Sequence, residues 1–140
     1  MSKTDTVLLA ESNQDDVLII QHAFRDAGII NPLVVLKDSE QALEYLNGGG
    51  KYADRELFPL PLLLLINRHL GVKDGLQVLE WVANHPNVRK KITVVMLCDI
   101  EDPPARARAY ALGAEAFVLK PFDYKDTVRM VAGWKRYLQS

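Results

Sequence analysis

The sequence predicts an α/β fold: a (βα)5 doubly wound, five-stranded parallel sheet, in one domain over residues 1–140. Three observations carry that prediction. Short apolar runs alternate strictly with segments of helical pattern, five of each, which calls for parallel strands, right-handed crossovers and helices on both faces. The two middle runs, LLLLI (62–66) and ITVVMLC (92–98), show no polar alternation, as strands buried on both sides require. Finally, 140 residues with 49% hydrophobic and 25% charged side chains suffice for one sizeable core.

Each element has its own signal. TVLLA (6–10) is the first strand and ends at Glu11. NQDDVLIIQHAFRDAG follows as a helix with Asn13 as N-cap, Asp15 and Asp16 at the positive end of the dipole, and Gly28 as its close. PLVVLK (32–37) is the second strand. Asp38 then caps a helix, with Gln41 at the capping-box position and Gly48 as the stop. YADRELFPLP is a polar, proline-containing connector into LLLLI. Asp74 and Gly75 open a third helix with apolar Leu76, Leu79, Val82 and Ala83, ending before His85-Pro86. After ITVVMLC, Asp102 caps a helix whose first turn tolerates Pro103 and Pro104, and Gly113 ends it. AFVL (116–119) is the fifth strand, KP a break, and DYKDTVRMVAGWKRYL the last helix.

Composition narrows the function classes. A formal net charge of −1 gives no global field directed at nucleic acid or an acidic membrane surface. Cys98 is the lone cysteine, so no internal disulfide forms, as in an intracellular chain. The longest apolar run, Leu60 to Ile66, is too short to cross a bilayer, and MSKTDTVLLAES does not read as a secretory leader. A cytoplasmic domain is expected. The glycine tract at 48–51 follows a helix rather than a strand and reads as a loop, not a phosphate cradle.

In such sheets the ligand site lies beyond the carboxyl ends of the strands, at the switch point between the first and third. Glu11-Ser12, Asn67, Cys98-Asp99 and Lys120-Pro121 end strands there. Carboxylate, hydroxyl, amide, thiol and ammonium should converge. No histidine stands at a strand end beside Cys98, so no nucleophile–base–orienter set is visible and an enzyme is not expected.

With these motifs in order, the chain resembles the receiver domain of two-component response regulators over nearly its whole length. VLLAESNQDD, LLLLINRHLGVKDGLQVLEWV, VVMLCD and ALGAEAFVLKPFD carry the likeness. The segment 31–61, with its insertion before the third strand, is similar to the phytochrome-associated single-domain regulators. The resemblance implies strand order 2-1-3-4-5 in a flavodoxin-like fold. It also implies an acidic pair after strand one, a phosphoacceptor aspartate after strand three, a hydroxyl after strand four and a lysine before a cis proline. Lys120 and Pro121 match, as does the first acid, Glu11. The second acid is Ser12, the phosphoacceptor is Asn67, the hydroxyl is Cys98, the rotating aromatic is Phe117, and the proline expected after Leu70 is Gly71.

An acyl phosphate needs a carboxylate nucleophile, and the Asn67 amide is neutral. Counting only Glu11 and Lys120 makes the site formally neutral, a weak offer to Mg²⁺; no cofactor is expected, and Glu11 should pair directly with Lys120. The reading is a degenerate pseudo-receiver acting through protein contacts independently of phosphorylation. Alternatives are a receiver switched by Cys98 oxidation or by an anion near Lys120, and a small-molecule site or enzyme at the switch point. Taken alone, Asp15 and Asp16 read as helix N-terminal acids, Cys98 as a small buried filler, His69 as a loop residue contributing its carbonyl, and His22 and His85 as surface residues. Arg106, Tyr110, Met130, Trp134 and Tyr137 on the last two helices are the candidate interface, for a sensor kinase, another signalling protein or a second copy, the alternative being that Trp134 and Tyr137 cap the core edge.

Overall fold

The computed structural model describes residues 5–71 and 73–138. Met1–Thr4, part of the stretch read as lacking a leader, lie outside them. The strands are β1 (Val7–Ala10), β2 (Leu33–Leu36), β3 (Leu63–Asn67), β4 (His69–Leu70), β5 (Lys73–Asp74), β6 (Thr93–Cys98) and β7 (Ala116–Leu119). The helices are α1 (Gln14–Asp26), α2 (Ser39–Asn47), α3 (Gly75–Ala83), α4 (Pro86–Arg89), α5 (Pro103–Ala111) and α6 (Tyr124–Gly133). Five strands form one parallel sheet in the order β2-β1-β3-β6-β7, which is 2-1-3-4-5 when the short β4–β5 pair is set aside. Among the described residues no helix is long and apolar enough to cross a membrane.

The backbone differs from the sequence expectation after β3 and after α3. The stretch after Asn67 is an antiparallel ribbon, with His69 facing Asp74 and Leu70 facing Lys73. Gly71 turns it at φ +78°, a conformation open to glycine, which explains why the proline of the resemblance is absent. A sixth helix starts at Pro86, whose fixed φ and missing N–H suit a first turn.

Strand alternation sorts the apolar runs into two cores. Leu8, Leu64, Ile66, Met96 and Phe117 face α2, α3 and α5. Val7, Leu9, Leu65, Val95 and Leu97 face α1 and α6. Every residue of β1 and β3 is therefore buried. The caps are largely those read from sequence. Asn13 accepts from the Asp16 N–H at 3.0 Å and Asp38 from the Gln41 N–H at 2.8 Å. Gln41 reaches back one residue further than expected, accepting from the Lys37 N–H at 3.0 Å. The full capping box is at α3, between Asp74 and Gln77.

The glycine tract and connector form a built corner rather than a plain loop. Phe58 packs edge-on with Tyr45 and Tyr52, which are tilted against each other, with centroids 4.9 to 6.1 Å apart. Arg55 donates to the carbonyls of Tyr45 (2.9 Å), Phe58 (3.0 Å) and Leu46 (2.8 Å), closing the open end of α2.

The last helix also needs correction. Trp134 takes the core-edge alternative: it is buried just after α6, tilted against Phe24 of α1 at 6.4 Å. Met130 and Tyr137 are half-buried on the same core. The broad apolar stripe is accounted for by packing on the sheet and α1 together.

Candidate functional site

The carboxyl ends of β1, β3, β6 and β7 bring Glu11, Asn67, Cys98 and Lys120 to one rim. Glu11 is 2% exposed, yet both its oxygens are engaged. Oε1 accepts from Lys120 Nζ at 2.6 Å. Oε2 accepts from the Asn13 N–H at 3.1 Å and from Asn67 Nδ2 at 3.3 Å. The Asn67 amide nitrogen also donates to the His69 carbonyl at 2.9 Å. Two acceptors on one side fix the amide orientation, since the flipped amide would set oxygen against oxygen. Asn67 Oδ1 is left buried without a hydrogen-bond partner.

Lys120 holds more than the expected single pair. Its ammonium also lies 2.8 Å from Asp16 Oδ2 and 3.4 Å from Asp99 Oδ1. Three carboxylates and one ammonium make the cluster formally −2, so the expectation of a neutral site is corrected. Burial works to lower the Lys120 pKa, but the hydrogen bonds and charges of Asp16 and Glu11 outweigh it and hold the ammonium above its ordinary value. Asp16 is the member of this cluster that motif reading missed. A signal did exist: α1 starts at the rim, and helical Cα–Cβ bonds lean toward the N-terminus, so a first-turn acid is aimed back at the strand ends.

Of the buried oxygens that would face Mg²⁺, Asn67 Oδ1 is without an internal donor and the others are engaged. Both oxygens of the one buried carboxylate and the His69 carbonyl are taken by internal donors. Among the described residues no three His, Cys, Asp or Glu side chains are grouped to hold a metal.

Other expected site residues separate from this network. Ser12 is exposed and takes no part in it. Cys98 is 1% exposed, and its S–H donates to the Ile100 carbonyl at 2.9 Å. The Lys120–Pro121 peptide is trans, as no peptide bond among the described residues is cis, in contrast to the cis bond implied by the resemblance. Phe117 is buried and gripped from α5. Its N–H donates to the Tyr110 hydroxyl at 3.1 Å, its carbonyl accepts from Arg106 Nη1 at 3.3 Å, and the Arg106 guanidinium sits 5.0 Å from its ring centroid. Phe117 pairs only with β6, so these contacts cap the outer edge of the sheet.

The family model for the response regulator receiver domain matches residues 7–132. The chain belongs to that family. This receiver domain is 30% identical over 127 residues to the response regulator Rcp1 of Synechocystis sp., covering 91% of this chain and 84% of that protein. It superposes on the response regulator RPA3017, described in red light signaling of R. palustris, with TM-score 0.85 and 32% identity, covering 92% and 90% of the two chains. The Mn²⁺-bound form of Rcp1 superposes with TM-score 0.84 at 27% identity, over 96% and 95%. The likeness to phytochrome-associated regulators therefore holds in sequence and in three dimensions.

Proposed function

We propose that this receiver domain signals by protein contact without phosphorylation at residue 67, is not an enzyme, and serves a two-component-type pathway. The observation that carries the reading is the Asn67 amide, which donates to Glu11 and the His69 carbonyl at once. A phosphoacceptor aspartate has no N–H, so those two acceptors would need another donor. Here the Lys120 ammonium is the internal counter-charge and the amide an internal donor, and the pocket closes on itself without Mg²⁺. Neither alternative switch is favoured. The Cys98 thiol is buried and engaged, and an anion beside Lys120 would meet three carboxylates. The red-light and cyanobacterial phytochrome relatives make a light-signalling sensor kinase or its associates the partner class to try first. With Trp134 in the core, the contact surface falls to α5 and β7, where Tyr110 and Leu119 are exposed.

The test is incubation with acetyl phosphate, and separately with beryllofluoride, in millimolar Mg²⁺, read by intact mass and amide NMR. No mass gain and no saturable shifts at Glu11 and Asn67 are expected. A phosphoryl adduct on the native chain would overturn the reading. Asn67→Asp with Ser12→Asp should restore Mg²⁺-dependent phosphorylation on an unchanged scaffold.

A further inference from the structure

Arg68, next to Asn67, is joined to four places at once. Its N–H donates to the Leu97 carbonyl of β6 at 2.8 Å, and its carbonyl accepts from the Gly75 N–H at 2.8 Å. Its side chain, only 19% exposed, pairs with Asp74 through Nη1 at 2.8 Å and with Asp102 through Nη2 at 3.6 Å. Those two aspartates are the N-caps of α3 and α5, each capping with Oδ1 and facing Arg68 with Oδ2. Nε stays buried without a partner, a cost that the two ion pairs offset.

We propose that Arg68 is a positioning residue that couples the Asn67 rim to the outer edge of the sheet through α5. The path is short and continuous: Arg68 fixes where α5 begins, and one and two turns further on Arg106 and Tyr110 of α5 hold the backbone of Phe117. A hydroxyl-to-aromatic relay is missing, because Cys98 bonds its own loop and Phe117 has no hydroxyl. Arg68 supplies an ionic route between the same two regions. The proposal does not depend on whether residue 67 accepts a phosphoryl group.

A double-mutant cycle tests it. Asp102→Asn keeps a good N-cap and removes the charge that faces Arg68. Arg68→Leu removes the cation. Each is read by amide exchange of residues 103–111 and by the ¹⁵N–¹H shift of Phe117, whose N–H reports on Tyr110. Each single change should speed α5 exchange roughly fivefold, the scale of a partly exposed ion pair. It should move the Phe117 resonance while leaving β1 and β3 amides unchanged, and the double variant should add little to either single one. An unmoved Phe117 resonance, strictly additive effects, or an equal rise in exchange across β1 and β3 would each overturn the proposal. If Arg68→Leu fails to fold, Arg68→Gln, which also removes the cation but keeps a polar side chain, gives the same comparison.

Discussion

Lys120 and Arg55 each tie together segments distant in the chain, but they sit on different acceptors. The Lys120 ammonium lies among the carboxylates of Glu11, Asp16 and Asp99. The Arg55 guanidinium lies on three backbone carbonyls, with the Tyr45 ring 5.9 Å away. At the rim the acceptors carry charge in excess of the cation, so the arrangement responds to a change of charge there. At the corner the acceptors are neutral and cannot titrate, so the arrangement is permanent. The same device thus gives a poised site in one place and a fixed joint in another.

The largest effect that would sharpen this contrast is at Lys120. Lys120→Met leaves Glu11 buried without its cation and should cost about 3 kcal/mol in urea unfolding at neutral pH. A cost near zero would mean that Asn67 and the Asn13 N–H suffice for Glu11, and the contrast would fail. Arg55→Ala should cost about 2 kcal/mol, because several carbonyls lose a charged donor together. Arg55→Lys should recover little of it, since an ammonium cannot span them as a planar fork does. Tyr110→Phe, at the edge rather than either cation, should cost about 1 kcal/mol and speed exchange at the Phe117 amide.

The pH effect is smaller and has a definite sign. The folded state raises the Lys120 pKa, so in the alkaline window above its ordinary value the folded chain binds more protons than the unfolded one. The contribution is complete below that window and is lost as pH rises through the folded value. Stability of the native chain should therefore fall there relative to Lys120→Arg, which does not titrate.

How much of this was legible in the sequence differs by residue. Strand ends were readable because burial on both faces leaves continuous apolar runs, which placed Glu11, Asn67, Cys98 and Lys120 on one rim. The Glu11–Lys120 pair followed from having one acid and one base there, and the use of the His69 carbonyl from its place two residues past Asn67. Asp16 was read only as a dipole acid, because a cap pattern does not state which way the side chain turns. Trp134 stands open between interface and core edge in the sequence because one helix can pack on a sheet and on a neighbouring helix at once, so a wide stripe need not face solvent. The aromatic corner escaped because its contacts join residues 45, 52, 55 and 58 without any period.

A Cβ placed on Gly75 would stand 2.3 Å from the Asn67 carbonyl oxygen. Strand end and helix start are thus in atomic contact, and the floor beneath Asn67 is main chain. For engineering, this makes the domain a controlled background. Side chains at 11, 12, 16, 67 and 120 can be exchanged as reagents in a vessel of fixed shape, and a gain of phosphorylation there would report on chemistry rather than on a remodelled backbone.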